Sequence, residues 1–327
     1  MKKYFMLLFV FSGIHLFAQP HPSFTGTGTV DDPYLIWNKA QLKILGDSVD
    51  LDNTITNPNG TKWHVGKHFK LMQNIDNVTE SIGWRPFCGH FQGNGKTITL
   101  AINYDYPDNR SSALFVGLSN YNASIDNLIV DGYVNDGFAG IVYAGGGEMS
   151  SITNCVNNAT VTGWSAGGII HTNRGTISNC INNGDITGVN IVGGIVGDNA
   201  GTIINCINTG NVTATNSGSN TNLVGEITPN NGVGGIVGCV SNYCQGISNC
   251  INIGTIKGQD VVGGINGGLN RTSITNCINA GYVAGWGSVG GIGGVIFNFY
   301  GGSGINNCVN VGVVEGEEDI GSIVGKE

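Results

Sequence analysis

One phrase recurs six times in the second half of this chain and limits what it can become. Ile152-Thr-Asn-Cys-Val-Asn157 returns as Ile177-Ser-Asn-Cys-Ile-Asn182, Ile203-Ile-Asn-Cys-Ile-Asn208, Ile247-Ser-Asn-Cys-Ile-Asn252, Ile274-Thr-Asn-Cys-Ile-Asn279 and Ile305-Asn-Asn-Cys-Val-Asn310. The cysteines, Cys155, Cys180, Cys206, Cys250, Cys277 and Cys308, stand 25, 26, 44, 27 and 31 residues apart. A period of about 25 residues with one insertion, placed at 214–231, accounts for these intervals. Each period also carries a Gly-Gly-Ile element, at Gly167, Gly193, Gly234, Gly263 and Gly290, and Gly321-Ser-Ile-Val-Gly325 starts another. Between these marks the apolar runs are short, rich in Ile and Val, and separated by Gly, Asn and Asp, which is the pattern of strands and turns. No ten-residue stretch there has helical periodicity, so helical repeats are excluded.

Three short strands per period fit one turn of a parallel β-helix, in which identical positions stack about 4.8 Å apart. Stacking explains the recurrence. An Asn in register hydrogen-bonds the Asn above and below, a small Cys or Ile fills a narrow core, and Gly serves corners with positive φ or no room for a Cβ. The expected fold is all-β, a right-handed parallel β-helix. From residue 141 on the chain holds 41 of its 55 glycines and only four basic side chains, leaving little for charge-driven chemistry. With a net charge of -8, or -10 without Lys2 and Lys3, a nucleic-acid partner on a basic surface is not expected.

Met1-Lys2-Lys3, the apolar run Tyr4 to Phe17 and Ala18-Gln19 have the form of an export leader, so 1–18 is expected to be removed. The run holds Ser12, Gly13 and His15 and is too short to span a membrane. The expectation is an exported protein, secreted, periplasmic or surface-associated, without a transmembrane segment. Residues 19–105 read as an N-terminal capping module and 106–327 as the β-helix. Ile125-Asp-Asn-Leu-Ile-Val130 is a diverged period with Leu128 in the Cys place, and Ile98 to Ile102 lies one coil earlier. Asn38 to Val49 reads as the one short helix, with Asn38 as N-cap, Gln41 three residues on, and Leu42, Leu45 and Val49 on one face. Its expected place is over the open strand edges of the first coil. The far end shows no comparable cap, so association through it is open.

The Gly-Ile-Val-Gly and Ile-x-Asn-Cys elements resemble the GLUG-repeat family of bacterial surface and secreted proteins. The front resembles the module that often precedes such repeats: Gly26-Thr-Gly-Thr-Val-Asp-Asp-Pro-Tyr-Leu-Ile36, Gly66-Lys-His-Phe-Lys-Leu71, Phe91-Gln-Gly-Asn-Gly-Lys-Thr-Ile98 and Leu114-Phe-Val-Gly117. Together they cover residues 24–327, with His171, Asn266 and Gly293 departing from the pattern. The resemblance implies an adhesin-like or accessory extracellular β-helix and carries over no catalytic residue. Some larger members join such repeats to a zinc peptidase that cleaves immunoglobulin. This sequence has no His-Glu-x-x-His, so that activity does not follow from the resemblance.

Motifs that spell chemistry have structural readings here. Gly163-Trp-Ser-Ala-Gly167 matches a nucleophile elbow around Ser165, but that fold needs a strand before it, a helix after it and Asp then His downstream, and only His171 follows, four residues on, so the motif reads as a repeat corner. Gly285-Trp-Gly-Ser-Val-Gly290 matches a dinucleotide fingerprint with no helix after it, and Gly95-Lys-Thr97 reads as a hairpin turn. His64 and His68 have helical metal spacing interrupted by Gly66, so no metal and no cofactor is expected. A polysaccharide lyase or hydrolase on the β-helix needs converging carboxylates, whereas Asp185, Asp198, Glu226 and Asp260 occupy different points of the repeat.

The repeat cysteines point the same way from stacked strands, which disfavours disulfides and predicts a ladder of buried thiols. Cys239 and Cys244 bracket one loop, where a disulfide and two free thiols are both open, and Cys88 is left over. Loop aromatics a β-helix core does not require are the binding candidates: Trp286, Phe297, Phe299 and Tyr300, with Tyr243 and Trp164. The expected function is non-catalytic binding of a polysaccharide or an extracellular protein. A carbohydrate-active enzyme and a passive spacer are the alternatives.

Overall fold

The computed structural model describes residues 23–51, 63–103, 112–215, 232–240, 244–297 and 303–326. From Ser151 on, each described coil repeats the path of 151–173. Ser151–Thr153 alternates outward, inward, outward, so Ile152 is buried. The chain then turns into Val156–Asn157, turns again into Thr160–Thr162, and passes through Ala166–Gly167 to Ile170–Asn173. These are five segments per coil rather than the three expected, because the Asn-Cys, Asn157 and Gly-Gly positions each break a run that the apolar pattern leaves continuous.

Among the described residues, stacked coils build a parallel β-helix of four sheets. The first has ten strands, from Tyr34–Ile36 to Gly304–Asn306; the third has six, from Ala166–Gly167 to Ile320–Gly321; the fourth has eight, from Phe115–Leu118 to Val324–Lys326. The second has fifteen because it changes form along the rod. Thr97–Asn103 and Ile129–Asn135 run unbroken and pair over seven residues. The next coil pairs Val156–Asn157 with Ile129–Val130 and Thr160–Val161 with Tyr133–Val134, so one long strand seeds two short ladders. The diverged coil stands where the sequence places it, with Ile125 beside Ile152 and Leu128 as buried as Cys155.

Asparagine makes the corners. Asn154, Asn179, Asn205, Asn249, Asn276 and Asn307, each just before a ladder cysteine, have φ of 54°, 54°, 56°, 53°, 55° and 52°. Asn tolerates this left-handed backbone better than other side-chain-bearing residues. The second Asn of the phrase, buried from Asn157 to Asn279 and half-buried at Asn310, forms one continuous chain. Asn157 Nδ2 donates to Asn182 Oδ1 (2.7 Å), Asn182 to Asn208 (2.8 Å), Asn208 to Asn252 (2.8 Å), Asn252 to Asn279 (2.7 Å) and Asn279 to Asn310 (2.8 Å). Each also donates to the carbonyl two residues on, as Asn208 does to Gly210 (2.8 Å), so a buried amide closes its own turn.

The repeat glycines instead serve close approach. A Cβ on Gly194 would lie 2.1 Å from the Gly235 carbonyl oxygen, and one on Gly235 would lie 2.2 Å from that of Gly264. Gly95 does not close a hairpin. With Asn94 (φ 55°) and Gly95 (φ 66°) left-handed, it turns the chain from His90–Gln92 in the first sheet into Thr97–Asn103 in the second.

The front coils have a wider, aromatic core, in which Phe24, Tyr34, Trp63 and Phe69 pack with ring centroids 5.5 to 6.3 Å apart. Phe69 and Phe91 lead in register to Ile125, where the aliphatic ladder begins. Helix α1, Lys39–Leu51, starts at Asn38, whose Oδ1 accepts from Gln41 N (3.0 Å), while Gln41 Oε1 accepts from Trp37 N (2.7 Å). It buries Leu42, Leu45 and Val49 and packs on Ile75–Val78, the end strand of the second sheet.

Candidate functional site

Two tryptophans of the sequence analysis share one edge of the rod. Trp164 lies between Thr160–Thr162 and Ala166–Gly167, and Trp286 between Val283–Ala284 and Ser288–Gly290, which is the same corner of two different coils. Four steps of the third sheet separate them, roughly 19 Å at strand spacing. Both are open to solvent, Trp164 at 64% and Trp286 at 56%. The backbone fixes each corner: Val189 N and Asn190 N donate to the Trp164 carbonyl, and Glu317 N and Glu318 N to that of Trp286. Trp286 Nε1 donates to Glu317 Oε2 (2.6 Å), which orients the ring and leaves its faces for a partner. Burial and the nearby Glu318 carboxylate raise the pKa of Asp260, one coil back on this edge.

Tyr243, Phe299 and Tyr300 lie outside the described residues, as do the side chain of Phe297 and all of Glu226. Asp185, Asp198 and Asp260 stand at three separate places, between the two ladders of the second sheet, on the fourth sheet, and at the Trp edge. Ser165 is buried in its corner, and Ser288–Gly290 continues as strand where a dinucleotide site needs a helix. The two histidines at metal spacing have different partners. His64 is buried, stacks on Phe87 and accepts from Cys88 N through Nδ1 (3.2 Å), whereas His68 stacks on His90 with centroids 4.4 Å apart. His90 Nδ1 meets Ser124 Oγ at 2.9 Å, and burial lowers the pKa of both His68 and His90. Among the described residues no group of three His, Cys, Asp or Glu is placed to hold a metal.

The ladder cysteines each donate to the carbonyl two residues back, as Cys155 does to Thr153 (3.1 Å), and Cys250 N donates to Cys277 Sγ (3.4 Å). Burial pushes the Cys180 thiol well up, and the Cys250 neighbour pushes Cys277 up to about 12, so neither is a nucleophile at neutral pH. Cys239 Sγ faces Asp198 Oδ1 at 3.6 Å, and Cys244 Sγ faces the Gly201 carbonyl at 3.3 Å; both are thiols.

A cleft that the sequence reading did not anticipate opens at the front. It holds about 690 Å³ between α1 and residues 78–84, and Trp84 lines it, half exposed. Its residues come from α1, from residues 78–84 and from Asn103, and no spacing rule joins them. The one available signal was Trp84 itself, an aromatic in a loop outside the repeats.

No protein-family model matches the sequence, and no curated protein does. The chain is similar to a crystal structure from Bacteroides ovatus assigned as an immunoglobulin A1 protease, with a TM-score of 0.57 and 24% identity over 78% of this chain and 77% of that one. It is also similar to a structure named IgA1 protease, with a TM-score of 0.56 and 17% identity over 84% of this chain. The match spans 21% of that second protein's length. At these identities the shared property is the β-helix fold. The expectation of a chain without enzymatic function is overturned by this comparison, because the solved β-helices it resembles carry protease names.

Proposed function

We propose that this chain is an exported β-helix protein of the GLUG-repeat kind whose tryptophan edge engages an extracellular glycoprotein, and that this engagement serves proteolysis. The observation that carries the reading is the placement of Trp164 and Trp286 on one edge of a rigid ladder, both exposed and both fixed by backbone hydrogen bonds. A β-helix core needs no tryptophan at a corner, and indole rings held at fixed spacing lose little entropy on meeting a partner. The names of the two similar structures supply the candidate partner, immunoglobulin A1, and the class of reaction.

The test passes immunoglobulin A1, fibronectin and a polysaccharide panel over the immobilised chain Gln19 to Glu327, and follows the mass of every retained partner. Retention of immunoglobulin that drops about tenfold with Trp164→Ala or Trp286→Ala supports the reading. Immunoglobulin fragments appearing with the chain alone place the proteolysis in this molecule. Shortened polysaccharide, or immunoglobulin retention indifferent to both substitutions, overturns it.

A further inference from the structure

The front cleft is built from two glycines that bring helix and loop into contact along one side. A Cβ on Gly46 would lie 3.0 Å from Gly83 N, and one on Gly83 (φ +74°) would lie 2.7 Å from Val49 Cγ1, so α1 and the 79–83 turn touch there and diverge beyond. Leu42, Val78 and Ile82 give the divergence an apolar floor, and the Trp84 ring forms a wall. Asp50 Oδ1 accepts from Trp84 N, which fixes the backbone that carries the ring, and burial raises the pKa of Asp50.

The polar rim narrows the chemistry of what fits. Lys39 Nζ donates to the Asn77 carbonyl, while Lys43 Nζ lies 3.0 Å from Asp47 Oδ1 and 3.9 Å from Glu80 Oε2. Both cations are committed, and three carboxylates face the space, so an anionic ligand meets repulsion. The Lys39 bond also occupies the Asn77 carbonyl of the end strand Ile75–Val78, one of the groups with which an added extended peptide would pair. What remains is an aromatic face, an apolar floor and carboxylate oxygens with unused acceptor capacity. That set complements a molecule with one C–H face and a rim of hydroxyl donors, and the volume lies in the range of small-molecule sites.

We propose that the cleft between α1 and residues 78–84 is a saccharide site, which takes a neutral pyranoside with its C–H face on Trp84 and its hydroxyls on Glu80 and Asp47. This site is independent of the tryptophan edge.

Saturation-transfer NMR on the chain Gln19 to Glu327 tests it with methyl β-D-glucopyranoside, methyl β-D-galactopyranoside and N,N′-diacetylchitobiose as probes. The expected result is saturable transfer to at least one probe, strongest at ring C–H protons. Trp84→Ala should weaken binding at least tenfold, Trp84→Phe should keep it within a few-fold, and Glu80→Gln should weaken it several-fold. Because Trp84→Phe preserves the packed ring, a loss seen with Ala and not with Phe separates lost contact from lost folding. Absence of saturable transfer for all three probes, or transfer unchanged in Trp84→Ala, overturns the proposal. So does saturable binding of the peptide Gly-Lys-Gly in place of the sugars, which marks a cation site. Trp286→Ala is expected to lower immunoglobulin retention and leave this transfer unchanged, so the two readings fail separately.

Discussion

At the scale of residues, stability rests on a few buried polar groups with every bond in place. Asn208 accepts from Asn182, and donates to Asn252 and to Gly210. Asn208→Ala strips Asn182 and Asn252 of partners they cannot replace with water, and should cost about 2–4 kcal/mol. Asn183→Ala, which breaks only exposed bonds, the one donated to Asn158 and the one accepted from Thr209, should cost under about 1 kcal/mol, and urea melts of the two variants check the contrast. His171 makes a different prediction. Its ring stacks on Tyr143 with centroids 5.6 Å apart and meets Phe138 at 5.2 Å, and burial pushes its pKa from the usual 6.5 down to about 4. The unfolded chain therefore binds a proton that the folded chain refuses between these values. The stabilisation is whole above pH 6.5 and is lost as pH falls toward 4, by about 3 kcal/mol at most. His171→Phe keeps the packing and should flatten that part of the pH dependence. Equal losses between pH 7 and 4.5 in the two proteins would clear His171 of it.

At the scale of elements, the ladders were legible because a parallel stack forces like residues into register, so Ile152, Ile177, Ile203, Ile247 and Ile274 announce one sheet by themselves. Helix α1 was legible from its cap and its buried face. The number of segments per coil was not, since a break within an apolar run is made by backbone geometry and leaves no mark on hydropathy. The division of labour between Asn and Gly was hidden for the same reason: both residues mark turns, and only coordinates distinguish a left-handed φ from a missing Cβ. This division is testable on one coil. Asn179→Gly keeps the left-handed corner and sacrifices only two exposed amide bonds, one donated to Asn154 and one accepted from Asn205, so it should cost about 1 kcal/mol. Gly194→Ala puts a methyl 2.1 Å from a carbonyl of the next coil and should cost about 3 kcal/mol. Thermal melts in which Gly194→Ala is the milder change would contradict the assignment.

At the scale of the whole molecule, the fold was legible and the front cleft was not, because Trp84, Glu80 and Lys43 meet only after α1 has docked on the end strand. The docking also bears on how the rod opens. Each coil contacts its neighbours alone, so stability is a sum of coil and interface contributions, and unfolding begins where an interface is missing. At the front, α1 and an aromatic core cover the first strands. In the last described coil Val309, Val311, Val313 and Ile320 are exposed and Cys308 is partly so, while Cys277, Cys250, Cys206, Cys180 and Cys155 are sealed. The thiol ladder is therefore a built-in clock for opening. A thiolate-directed reagent cannot reach a buried thiol in the closed rod, and burial also raises the pKa of Cys180. At pH 8 in mild urea, Cys308 should be alkylated first, then Cys277 and Cys250, with Cys180 and Cys155 last. Peptide mass mapping over time reads that order directly. Simultaneous labelling of all six would show that the rod opens as one cooperative unit, and labelling from Cys155 onward would show that the helix-covered front is the weaker end.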